Sequence, residues 1–143
     1  MEHMKVGLPK RHVSVRLDRE VLDRLAREAE ERGVVQSRLV QRYVDEGIRR
    51  DRHPLIGFRE GAGGRRAVIQ GTRLDVAKVV ETLRLHKGDI GKTARYFETD
   101  PAVIRAAAEY HAEYPAEIDE WIRRERESAD RYEKAWRRQK ALA

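Results

Sequence analysis

The residues with the most chemistry to offer stand in one short run, Lys10-Arg11-His12-Val13-Ser14-Val15-Arg16-Leu17. His12, Ser14 and Arg16 alternate with Val13, Val15 and Leu17. In an extended chain this puts three polar groups on one side and three apolar groups on the other. The polar side holds no acid, and Lys10 and Arg11 precede it. Such a row suits hydrogen bonding to base edges. An arginine offers two donors to guanine O6 and N7, and a serine hydroxyl donates or accepts. Lys10 and Arg11 add charge for phosphates. Catalysis has no comparable footing. The histidines His3, His12, His53, His86 and His111 are scattered, and the chain has no cysteine. There is no metal-ligand spacing, no nucleophile elbow and no phosphate loop. The chain is expected to be no enzyme and to use no cofactor or metal.

Positioning that row takes a strand, and a lone strand leaves its backbone N–H and C=O groups unpaired. No second strand follows before helical patterns take over, so the simplest partner is the same strand of a second chain. Asp18 is placed to cap a helix. From Arg19 to Arg32, the apolar residues Val21, Leu22, Leu25, Ala26 and Ala29 recur at steps of three and four. Gly33 sits where a helix ends in a left-handed glycine. A second stripe, Leu39, Val40, Tyr43, Val44, Gly47 and Ile48, runs to about Arg50. Residues 10–50 thus read strand, helix, turn, helix. About 40 residues bury too little surface to fold alone, which favours a dimer core of Val13, Val15, Leu17, Leu22, Leu25, Leu39, Val40, Tyr43 and Val44. The alternative is a helical hairpin with an incidental polar strand.

This order and spacing resemble the ribbon-helix-helix family of bacterial DNA-binding proteins, which includes the CopG-like and VapB-type antitoxins. The resemblance covers residues 10–50. It implies that two strands pair antiparallel and enter the major groove of operator DNA, with His12, Ser14 and Arg16 at the base-reading positions. The family usually starts its second helix with Ser or Thr, where the helix end meets a phosphate. Here that position is Val35, which cannot cap, and Ser37 follows.

The rest of the chain bounds this reading. Of 143 residues, 39% are charged and 6% aromatic, with a net charge of +6. Such a composition yields little core per residue and favours oligomers or extended helices; the charge suits an anionic partner. No stretch has the length and apolarity of a leader or a membrane span, so a cytoplasmic location without membrane partners is expected. Residues 1–9, with Lys5, read as a disordered basic arm.

A new texture begins at His53-Pro54. Leu55, Ile56 and Phe58 predict a short strand, Gly61 to Gly64 a turn, and Arg65 to Gln70 a returning strand. Helices are then expected with Val76, Val79, Val80, Leu83 and Leu85; after the cap Asp89, with Ile90, Ala94 and Phe97; and after Asp100-Pro101, with Val103, Ile104, Ala107, Ala108 and Tyr110. The run Ile69-x-Gly71-Thr72-Arg73-x-x-Val76 resembles the marker of a widespread bacterial domain of unknown function. That domain is a β-hairpin leading a three-helix, helix-turn-helix-like module, found mainly in antitoxins encoded beside PIN-type ribonuclease toxins. The likeness covers residues 53–115, although the Gly-x-Pro expected before the marker is Gly64-Arg65-Arg66-Ala67. Thr72 and Arg73 are expected to fix a turn. Near the start of the last module helix the outward residues are Ala102, Arg105 and Glu109, where a base-reading helix would normally show more Arg, Lys, Asn or Gln; a protein-interaction module on a helix-turn-helix frame is expected, with a second DNA contact as the alternative.

Residues 116–143 predict an amphipathic helix opened by Pro115. Its sparse apolar face is Ile118, Trp121, Ile122, Ala129, Tyr132, Ala135 and Trp136. Aromatics on so polar a helix suit a partner surface at Trp121, Ile122, Tyr132 and Trp136; docking of Ile118 to Ile122 on residues 53–115 is the other placement. The fold expected is therefore mainly α: a ribbon-helix-helix dimerisation domain, a hairpin with a helix-turn-helix-like module, and a C-terminal helix. The function expected is an antitoxin that represses its own operator and, by resemblance, blocks a PIN-type ribonuclease. A transcriptional regulator without a toxin and an interaction scaffold without a DNA role are the alternatives.

Overall fold

The computed structural model describes residues 10–142, and the basic arm expected at 1–9 lies outside them. The chain divides into two compact units, Met1–Arg52 and His53–Ala143. Among the described residues it is mainly helical, with six helices and one two-stranded antiparallel sheet.

The first unit holds α1 (Arg19–Arg32) and α2 (Gln36–Arg52). Asp18 occupies the capping position of α1, but its carboxylate makes no capping bond. Its backbone carbonyl accepts from the Leu22 N–H at 3.0 Å instead. Gly33 ends α1 at φ 66°, and the Val34 N–H reaches back to the Ala29 carbonyl at 3.0 Å. That is the terminating glycine the sequence predicted. At the start of α2 the Leu39 N–H donates to the Val35 carbonyl at 3.3 Å. Leu25, Ala29 and Leu39 form a small buried cluster with Val34 against it.

Residues 10–18 carry no regular element. The strand expected there is absent from the single chain, for a physical reason: it has no neighbour to ladder with.

The second unit opens with β1 (Ile56–Gly61) and β2 (Gly64–Ile69). Their register runs from Ile56 opposite Ile69 to Gly61 opposite Gly64, leaving Ala62 and Gly63 as the loop. Leu55 and Gln70 fall just outside the strands, though Gln70 N–H still donates to the Leu55 carbonyl at 2.8 Å. Gly63 has φ 86°, a left-handed conformation that favours glycine in the turn. Thr72 fixes the exit as expected. Its Oγ1 donates to the Ile69 carbonyl at 2.8 Å and accepts from the Leu74 N–H at 3.0 Å.

Four helices follow: α3 (Val76–Leu85), α4 (Ile90–Phe97), α5 (Pro101–Glu113) and α6 (Pro115–Ala141). Asp89 and Asp100 cap α4 and α5, accepting from the Lys92 and Ala102 N–H groups at 2.9 and 2.8 Å. The core gathers Ile56, Ala67 and Ile69 of the hairpin with Val76, Val79, Val80, Ala94, Ile104, Ala107 and Tyr110. Each large aliphatic buried there contributes about 1.5–3 kcal/mol. Two expectations are corrected. Leu85, assigned to the apolar stripe of α3, is 74% exposed, because the helix ends there and the stripe closes at Leu83. The boundary drawn at Pro115 does not hold either. Ile118 and Ile122 of α6 are buried in this same core, so the first turns of the C-terminal helix complete the module.

Candidate nucleic-acid interface

Every side chain from Lys10 to Leu17 is exposed. Lys10, Arg11, His12, Ser14 and Arg16 therefore stand free on the first unit, and so do the apolar residues between them. Val13 is 77% and Val15 72% exposed. The exposure continues on the helices: Leu17, Val21 and Leu22 lead into or lie on α1, and Val40, Tyr43, Val44 and Ile48 lie on α2. Of the nine residues expected in a dimer core, only Leu25 and Leu39 are buried within the single chain. The other seven are exposed in the single chain, more large apolar side chains than scattered surface hydrophobes account for. The polar row beside it carries cations, a hydroxyl and an imidazole, and no carboxylate before Asp18. It can donate to base edges and phosphates without like-charge opposition.

The second unit separates the four residues expected to hold a partner. Ile122 is buried, and Trp121 is partly buried against the core. The guanidinium carbons of Arg66 and Arg124 each lie 4.6 Å from the Trp121 ring centroid, and Arg124 Nη2 donates to the Gly63 carbonyl at 2.8 Å. Trp121 and Ile122 are thus taken up by the chain's own hairpin and core, a correction to their assignment as partner contacts. Tyr132 and Trp136 remain exposed, at 77% and 57%, with the Lys140 ammonium 4.6 Å from the Trp136 ring centroid. They lie on the same helix face as Ile118 and Ile122, ten to eighteen residues further on. The stripe outlasts the core it serves.

A cluster around Asp75 escaped the sequence reading. Its two carboxylate oxygens accept from Arg59 Nη2 at 3.1 Å and Arg66 Nη1 at 2.9 Å. Arg66 Nη2 also donates to the Ala62 carbonyl at 2.6 Å. Nothing in local spacing relates Arg66 to Trp121, so only the fold reveals this link. A second polar group joins α3, α5 and α6. Asp119 accepts from Arg84 Nη2 at 2.8 Å and from His111 Nε2 at 3.0 Å. With His111 donating to Asp119, its 3.1 Å approach to Arg84 Nη2 is a contact between two donors. Burial tends to raise the Asp119 pKa, but the two hydrogen bonds and their positive charges outweigh it and hold the carboxyl below its ordinary value.

On α5, Ala102, Arg105 and Glu109 are exposed as the sequence predicted. No group of three or more acidic or histidine side chains among the described residues is arranged to hold a metal ion, and no helix among them is long and apolar enough to cross a membrane. No protein-family model, curated relative or solved structure matches the chain.

Proposed function

We propose that the chain is an operator-binding antitoxin whose first unit works as a dimer. One observation carries this reading: an uncovered apolar surface from Val13 to Ile48 adjoins a row of exposed base-reading side chains free of acids. A second copy covers Val13, Val15 and Leu17 by antiparallel strand pairing, which also satisfies the backbone of residues 10–17. The paired strands form a two-stranded ribbon with six reading side chains, His12, Ser14 and Arg16 from each copy, and such a ribbon fits the major groove. The helix-turn-helix-like module then serves as a frame, and the exposed Tyr132 and Trp136 hold a protein partner. The resemblance of both segments to antitoxins makes that partner a PIN-type ribonuclease and the DNA contact autorepression, in the cytoplasm.

A regulator without a toxin partner is the second reading. It is favoured by the internal use of Trp121 and Ile122, which halves the partner surface read from the sequence. Light scattering on the full chain, followed by co-purification from native cells, tests both. A dimer that binds its upstream DNA and retains a small ribonuclease supports the antitoxin. A dimer with DNA but no protein partner supports the regulator. A monomer without DNA affinity overturns both.

A further inference from the structure

In the helix-turn-helix-like pair α4–α5, α5 presents a single exposed cation near its start, Arg105, between Ala102 and Glu109, and the helix before it presents more. α4 contains no acidic residue. Lys92, Arg95 and Tyr96 occupy positions one turn apart and share one exposed face. Tyr96 is 64% exposed, yet it is held: the His86 ring meets it edge-on at 5.7 Å, and His86 Nδ1 is itself bonded to Thr93 Oγ1 at 2.9 Å. Lys87 follows in the αL conformation, φ 55°, and its side chain is exposed.

Several guanidinium groups of the unit are engaged: Arg66 and Arg59 on Asp75, Arg84 on Asp119, Arg126 on Glu81, and Arg123 between Glu120 and Glu127. Lys87, Lys92 and Arg95 form no ion pair among the described residues. The flanking acids are Asp89, whose Oδ1 accepts from the Lys92 backbone, and Glu98 at the far end of α4. Unpaired cations beside a rigid, exposed tyrosine suit a sugar–phosphate backbone, which accepts from lysine, arginine and tyrosine alike. In helix-turn-helix proteins the first helix of the pair crosses the backbone while the second reads bases. Here the first carries the larger cluster, against the single Arg105 near the start of the second.

We propose that Lys92, Arg95 and Tyr96, with Lys87 beside them, form a second, sequence-independent contact to the phosphate backbone of duplex DNA. This rests on the DNA-binding reading of the first unit and adds to it. The contact lengthens the footprint and raises affinity without altering which bases are preferred.

The test is the salt dependence of full-chain binding to a fluorescein-labelled duplex of arbitrary sequence, followed by anisotropy. Each phosphate contact contributes about 0.9 to the slope of log affinity against log salt. The double variant Lys92→Ala/Arg95→Ala is expected to lower the slope by about 1.8. Both sites are exposed and alanine favours helix, so the fold is kept. Arg137→Ala/Arg138→Ala on α6 removes equal charge and should leave the slope alone. If the α4 variant keeps the wild-type slope while Arg16→Ala lowers it, the α4 contact is overturned and the ribbon stands; an acidic protein as the true occupant gives this result. If the α4 variant loses slope and Arg16→Ala does not, the ribbon fails and the α4 contact stands. Equal losses in the α4 and α6 variants overturn the proposal in favour of diffuse charge.

Discussion

The Arg66 guanidinium lies over the Trp121 ring, 4.6 Å from its centroid, and ties the tip of the hairpin to the C-terminal helix. Arg124 meets the same ring and bonds the turn carbonyl of Gly63. Trp121 is therefore a fastening inside the chain. Trp121→Ala is expected to destabilise the second unit by about 2–4 kcal/mol, read as a lower urea midpoint. Trp136→Ala should stay within about 0.5 kcal/mol of wild type. Equal midpoints for the two variants would return Trp121 to the free surface.

Asp75 holds Arg59 and Arg66 together at the start of α3. Asp75→Asn keeps the shape and removes the charge, leaving two cations side by side. A loss of about 1–3 kcal/mol is expected. The loss should shrink in Trp121→Ala, since both residues act through Arg66; a double-mutant cycle measures that coupling. Strict additivity would show the two contacts to be independent.

Asp119 has a pKa below its ordinary value of 3.8 in the folded chain. Folding thus favours its charged form. The stabilisation is complete above the unfolded value and fades as pH falls through the lower, folded one. Between about pH 5 and pH 3, wild type should lose more stability than Asp119→Asn. Parallel urea midpoints across this window would show that the Arg84 and His111 contacts do not persist in solution. Because the side chains are about half exposed, the difference is small.

Arg16 is the best base reader on the proposed ribbon. Arg16→Ala is expected to cost about 1–3 kcal/mol of operator affinity and to relax preference at one base pair. Binding selections on randomised duplexes give both quantities. Unchanged selectivity rules out the ribbon as the reading element.

The tail can be cut without opening the core, provided the cut follows Ile122. A chain ending at Glu127 retains Ile118, Trp121, Ile122 and Arg124 and loses Tyr132 and Trp136. It should melt as a cooperative unit and keep its DNA affinity, but no longer retain a protein partner on a pull-down. Partner capture by the shortened chain would move that surface into the module.

Much of the local structure was legible in the sequence because local physics determines it. Gly33 ends α1, Asp89 and Asp100 cap their helices, Thr72 closes its turn, and the hairpin pairs within a residue of the expected limits. Each depends on atoms only a few residues apart. The 10–17 run shows where such reasoning stops. Alternation marks a strand, but a strand is a relation between two segments, and a single chain supplies one. Asp18 shows a smaller gap, since a residue suited to capping still turned its carboxylate away.

What the tertiary structure alone decided was the fate of α6. Periodicity put Ile118, Trp121, Ile122, Tyr132 and Trp136 on one face and left two placements open for Ile118 to Ile122, docking on residues 53–115 or a partner surface. The hairpin tip and the α3–α5 core bury Ile118 and Ile122, cover part of Trp121 and stop, leaving Tyr132 and Trp136 exposed. The reason is that amphipathicity records which face a helix buries, whereas how much of it is buried depends on residues such as Arg66 and Gly63, more than fifty positions away in the chain.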